Sequence, residues 1–176
     1  MPNAFARIML LAALAAPLPA LAQETPAPKP DRSTAAEPDY LDDRSDAKAL
    51  IRSLYNAVNR KEYVRAYGYF RDEPDRPSFE SFAKGYADTA KVELKLGTET
   101  SEGAAGSLYY SVPVAIRSVD TGGKAAVFSG CYELRLVQPG VQAEPPFRPL
   151  GIVKGRLEPS AKSFDDTAGR CPPDGL

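Results

Sequence analysis

Between residues 45 and 86 the apolar side chains recur at the helical period, and from residue 90 onward they alternate with polar ones at the strand period. Ala47, Leu50, Ile51, Leu54, Tyr55 and Val58 form one continuous stripe, while Lys48, Arg52 and Asn56 face away from it. Ser45 or Asp46 is placed to cap that helix, because a short polar side chain accepts from the free amides of a first turn. Asn59-Arg60-Lys61 interrupts the stripe, and a second short helix follows with Tyr63, Ala66, Tyr67 and Phe70 inward. Pro74 and Pro77 mark a loop, after which Ser78 caps a third helix carrying Phe79, Phe82, Ala83 and Tyr86 on one face.

Val92, Leu94 and Leu96 then alternate with Lys91, Glu93 and Lys95, the pattern of a strand with one wet face. A turn at Gly103 to Gly106 leads into a long strand, Ser107 to Val119, with Leu108, Tyr110, Val112, Val114 and Ile116 on one side. Asp120-Thr121-Gly122-Gly123 is a hairpin turn, and the next strand runs from about Lys124 to Gln138. Gly130 in its middle predicts a bulge that bends it. A proline-rich excursion from Pro139 to Pro149 precedes a last strand, Gly151 to Leu157. The fold class expected is α+β, with three N-terminal helices packed on a strongly curved, cone-shaped antiparallel sheet of about four long strands.

Ahead of the helices the pattern changes character twice. Arg7 precedes an apolar run from Ile8 to Ala16, Pro17 and Pro19 break it, and Ala20-Leu21-Ala22 supplies a small-x-small cleavage site, so residues 1–22 read as an export signal. The run is shorter than the roughly 18 to 20 residues of a spanning helix. No cysteine follows the cleavage site, so the expectation is a soluble protein, periplasmic or secreted, without lipid attachment or membrane insertion after cleavage. Residues 23–44, with Pro26, Pro28, Pro30 and Pro38 among charged and small side chains, read as a disordered or extended linker. The folded domain is expected over 45–158 and a C-terminal tail over 159–176.

Composition removes whole classes of chemistry. The chain of 176 residues has a formal charge of −1 and no run of basic residues, which excludes nucleic acid as an expected partner. Zero histidines exclude histidine-based nucleophile systems and histidine-ligated zinc, so any acid–base step must use a perturbed carboxylate, lysine or tyrosine. No metal and no cofactor are expected. The acidic pairs Asp42-Asp43 and Asp165-Asp166 lack the further oxygen ligands of a calcium loop and read as solvated turns. In an exported chain the two cysteines, Cys131 and Cys171, read as a disulfide that fastens the tail, closing a loop worth about 4 kcal/mol in the chain-entropy account. Strand parity puts Cys131 with Ser129 and Glu133 on the outer sheet face, where Phe164 could cover Val127 or Val137.

The run Leu50-Ile51-Arg52-Ser53-Leu54-Tyr55-Asn56-Ala57-Val58-Asn59-Arg60-Lys61-Glu62-Tyr63-Val64-Arg65-Ala66-Tyr67 resembles the opening helices of the nuclear transport factor 2-like (cystatin-like cone) superfamily. The strands from Tyr109 to Arg135 resemble that superfamily's paired long strands, including the glycine in the second, and the resemblance covers roughly Ser45 to Leu157. It implies a cone lined by Tyr63, Tyr67, Tyr86, Tyr110 and Tyr132, with Phe82 and Phe128 deeper. Such tyrosines suit a ligand pocket and suit a packed core equally.

An isomerase of the steroid type would need a carboxylate inside the cone beside a tyrosine. Glu93 and Glu133 fall on the opposite sheet face, and Asp88, near the mouth, suits a turn. The expectation is therefore a non-catalytic binding or accessory protein, holding a small apolar molecule in the cone or a protein partner on the open sheet face, as monomer or homodimer. Two alternatives stand beside it: a small isomerase- or dehydratase-type enzyme using a buried carboxylate and tyrosine, and a self-association module.

Overall fold

The computed structural model describes residues 37–176, so the expected export signal over 1–22 and the expected linker as far as residue 36 lie outside the described residues. Asp46 caps the first helix, α1 (Ala47–Asn59), its carboxylate accepting from the Ala49 amide at 2.7 Å. The whole predicted stripe of α1 is buried, and Ser53 joins it by bonding to both the amide and the carbonyl of Asp43. A short helix, α2 (Tyr63–Tyr67), and a third, α3 (Phe79–Gly85), follow, the latter capped by Ser78.

The sheet contains β1 (Thr89–Leu96), β2 (Thr100–Ala104), β3 (Ser107–Asp120), β4 (Ala125–Val137) and β5 (Gly151–Ser160), every pair antiparallel. Its order is β1-β3-β4-β5, with β2 on the remaining length of β3, and it is open rather than closed. The long strands expected are β1, β3, β4 and β5, and the short β2 is added to them. The polar, fully exposed Thr100–Ala104 carries no alternation to reveal it. The core lies between α1 and the inner sheet face, where Leu50, Ile51, Leu54 and Val58 meet Val112, Val114, Leu134 and Ile152.

Gly130 is a correction. It pairs in unbroken register with Val114 on one side and Leu157 on the other, and the β4–β5 irregularity falls between Glu133 and Leu134 instead. Glycine is required at 130 for closeness, since a Cβ there would stand 1.9 Å from the Arg156 carbonyl oxygen.

The edge of β1 is closed by side chains. Asn59, at the end of α1, accepts from the Val92 amide at 2.7 Å and donates to the Val92 carbonyl at 2.9 Å, standing in for a neighbouring strand. Lys61 caps the carbonyl of Thr89 beside it.

Residues 37–44, the end of the segment read as a disordered or extended linker, carry no helix or strand and are tied down by side chains. Asn56 holds the Asp39 carbonyl and the Leu41 amide, Arg60 holds the Pro38 carbonyl and Glu37, and Arg65 holds the Leu41 carbonyl at 2.6 Å. Composition misses this because the segment is held by hydrogen bonds to side chains rather than by apolar burial.

At the other end the tail crosses the outer sheet face. Cys131 and Cys171 form a disulfide with Cα atoms 4.9 Å apart, and the Arg170 amide donates to the Gly130 carbonyl at 3.2 Å. Phe164 packs on the outer face against Lys95 and Arg117, the latter paired in register with Val127. Among the described residues no helix is long and apolar enough to cross a membrane.

Candidate functional site

No residue of α3 is fully buried: Phe82 and, just past the helix, Tyr86 pack partly buried against the edge of the core, and Phe79 is exposed. The three rings stack with their neighbours. Tyr67 lies edge-on to Phe79 at 5.5 Å, Phe70 to Phe82 at 5.6 Å, and Phe82 to Tyr86 at 5.1 Å between ring centres. Beneath these rings is a cleft of about 510 Å³, walled by Tyr67, Phe70, Phe82, Tyr86, Tyr132 and Leu157. A second hollow of about 400 Å³ shares Phe82, Tyr86 and Leu157 with it and runs on to Val92, Ile116 and Phe128.

Gly155 shapes the wall of the cleft. It pairs with Tyr132 across β4 and β5, and a Cβ on it would lie 2.3 Å from the Tyr132 ring. Only glycine lets that ring lie over the edge strand. The Tyr132 hydroxyl meets the Tyr55 hydroxyl at 2.8 Å in a buried pair. Burial pushes both phenols up, and each is raised further by a neighbouring tyrosine, Tyr132 for the first and Tyr86 for the second. Tyr86 is likewise raised by burial, and its hydroxyl bonds to none of the described residues. The cleft thus presents neutral phenols at physiological pH, which donate and accept hydrogen bonds but do not act as bases.

Polar groups at the mouth are engaged with one another. The Arg76 guanidinium pairs with Asp72 at 3.1 Å, donates to the Phe70 carbonyl and lies 4.3 Å over the Tyr67 ring. Asp75, also on the mouth, is exposed. Among the described residues the carboxylate that tyrosine hydroxyls reach is Asp42, 2.8 Å from Tyr69 and 3.4 Å from Tyr40, and neither tyrosine lines the cleft.

Of the seven residues expected in the pocket, Tyr67, Phe82, Tyr86 and Tyr132 come together in the cleft, and Phe128 lines the adjoining hollow. Tyr63 and Tyr110 do not join them. The Tyr63 hydroxyl donates to the Tyr86 carbonyl at 3.1 Å, which fixes the end of α3. Tyr110 packs against the core on the β2 side of the sheet and borders a depression beneath the tail. The sequence reading missed Tyr55 as Tyr132's partner, because its place in the α1 stripe reads simply as core. It also missed Arg76 and Gly155, which carry no period. Asp88 is exposed, and its carbonyl accepts from the Thr121 amide at 2.8 Å, a turn contact. Asp43 and Asp166 serve local turns with Ser45 and Ser163. Among the described residues no group of three or more His, Cys, Asp or Glu side chains could hold a metal ion.

No protein-family model matches the chain, and no curated protein matches it. A solved structure from Novosphingobium aromaticivorans, named a "putative aromatic ring hydroxylase", is similar to it at 14% identity and a TM-score of 0.47. That match covers 67% of this chain and 93% of the other. A likeness of that strength carries no argument about what this chain does.

Proposed function

We propose that this chain is an exported protein of the nuclear transport factor 2-like type, with a non-catalytic binding or accessory role, holding a small apolar molecule beneath α3. The observation that carries the reading is the cleft of about 510 Å³, walled by aromatic rings and offering the Tyr86 hydroxyl, which has no partner among the described residues. Its volume lies within the range of small-molecule sites, and an apolar wall with one or two polar groups is their usual composition.

Binding is favoured over catalysis by where the carboxylates lie. Asp42, which tyrosine hydroxyls reach, belongs to the strap over α1, and Asp75, which borders the cleft, is exposed and bonds to no tyrosine hydroxyl among the described residues. An acid–base mechanism would need a carboxylate within about 3 Å of a cleft phenol. Export is supported by the signal-like pattern of residues 1–22 together with the Cys131–Cys171 disulfide, a bond typical of oxidising compartments.

The test is native mass spectrometry of the protein taken gently from its own compartment, followed by displacement of the retained species with the fluorescent probe 8-anilinonaphthalene-1-sulfonate. One apolar ligand per chain is expected, with the probe's affinity reduced in Phe82→Ala. A ligand-free protein that fails to bind the probe would remove the proposal.

A further inference from the structure

A second pocket, of about 480 Å³, lies on the far side of Phe70 from the cleft and is different in kind. Arg44, Arg71, Arg135 and Arg148 all line it, from four separate segments: the strap, the chain after α2, β4 and the 139–150 loop. The acids lining it are Asp72 and Glu73. Asp72 is turned outward, its side chain 95% exposed and paired with Arg76. In a chain whose overall charge is close to zero, this is a local concentration of guanidinium groups.

Arg71 is the centre of it. Its amide donates to the Ile152 carbonyl at 2.7 Å and the Ile152 amide donates to the Tyr69 carbonyl at 2.9 Å, so residues 69–71 are laid along the edge of β5. The side chain, 10% exposed, runs across Gly151, where a Cβ would come within 2.8 Å of the Arg71 Cγ. Yet the buried Nε has no hydrogen-bond partner among the described residues; Glu73 pairs with it at 3.5 Å without the geometry of a hydrogen bond. An orphaned buried donor on a charged group is costly, and an oxygen ligand would satisfy it.

The other arginines are held with their positions set. Arg44 lies 4.4 Å over the Tyr69 ring, pairs with Asp42 at 3.7 Å and donates to the Gly68 carbonyl at 3.4 Å, and Arg135 donates from Nε to the Ser107 hydroxyl at 3.1 Å. The backbone of Arg148 is clamped on both sides by the Gln142 side chain, at 2.7 and 3.1 Å, while its own side chain is exposed. Beside them stand Pro146, Pro149 and Phe147, the last 63% exposed.

We propose that this pocket binds a small organic oxyanion, a phosphate or carboxylate carried on an aromatic ring. The guanidinium groups take the oxyanion, since their planar fork suits both geometries, and the Phe147–proline wall takes the ring. Glu73, 3.5 Å from the Arg71 Nε, competes with the ligand for it. The site is separate from the aromatic cleft and does not depend on what the cleft holds.

The experiment is an NMR titration of the full chain with phenyl phosphate, benzoate, inorganic phosphate and phenol. Saturable shifts of the amides of residues 147, 148 and 150–152 are expected with phenyl phosphate or benzoate, with phenol giving none. Inorganic phosphate is expected to bind the same place more weakly. Arg148→Gln should weaken binding about tenfold, the usual worth of one charged hydrogen bond, and Glu73→Gln should tighten it. Neither side chain is buried, so both variants keep the fold, and Arg71→Gln should abolish binding where it folds. Shifts confined to Tyr86 and Tyr132, equal binding of phenol, or affinities indifferent to both Arg148→Gln and Glu73→Gln would each overturn the proposal.

Discussion

Tyr55 and Tyr132 share one hydrogen bond in a place water does not reach, and this has a consequence for stability in alkali. Burial raises both phenols in the folded chain, whereas the unfolded chain ionises near the ordinary value of about 10. Their contribution is therefore complete below about pH 10 and is lost as pH rises from there toward the folded values, at about 1.4 kcal/mol per pH unit for each phenol. Urea denaturation at pH 9, 10 and 11 should show that fall, and Tyr55→Phe should make it shallower while lowering stability at pH 7. An unchanged slope in the variant would mean that the pair is not what titrates. Parity along β4 was enough to place Tyr132 inward, and the helical period was enough to place Tyr55. That their hydroxyls meet was not legible, because the two residues lie 77 positions apart and belong to different elements. Gly130 shows the converse failure. Its presence was read as a bulge, whereas it answers to the backbone of β5, which no local pattern contains.

At the scale of elements, the helices and the long strands follow from the periods, and their caps from short polar residues at Asp46 and Ser78. β2 did not, since a strand exposed along its whole length has no apolar face to alternate. The break at Asn59-Arg60-Lys61, read only as the end of a helix, also seals the edge of β1. Asn59→Ala leaves the Val92 amide and carbonyl without partners and should cost about 1 to 3 kcal/mol. The urea midpoint should fall accordingly, with hydrogen exchange at the Val92 amide accelerating more than at Val112. Uniform acceleration across the sheet would argue that Asn59 does nothing specific at that edge. The strap over residues 37–44 belongs to this scale as well. It is attached through Asn56, Arg60 and Arg65, polar positions on the outward side of α1 and α2 that a hydrophobic pattern leaves unassigned.

Across the whole molecule, the disulfide joins the last residues to the centre of the sheet. Gly169 passes so close to β3 that a Cβ there would lie 2.0 Å from the Val114 amide nitrogen, and the tail carries Phe164 onto the outer face. Cys171→Ser together with Cys131→Ser should lower stability by about 2 to 4 kcal/mol. Amides of residues 164–176 should lose exchange protection first, and full protection in the double variant would show that packing alone holds the tail. The sequence by itself determined the α+β class, the inward faces of α1, β3 and β4, and the pairing of the two cysteines, because each rests on a local period or on a count with a single solution. Only the tertiary structure decided that Tyr67, Phe82, Tyr86 and Tyr132 share a cleft while Tyr63 and Tyr110 do not, and that four arginines converge beside Phe147. Those groupings depend on the curvature of the sheet and on where loops return to it, quantities set by packing between distant segments rather than by the order of residues along any one of them.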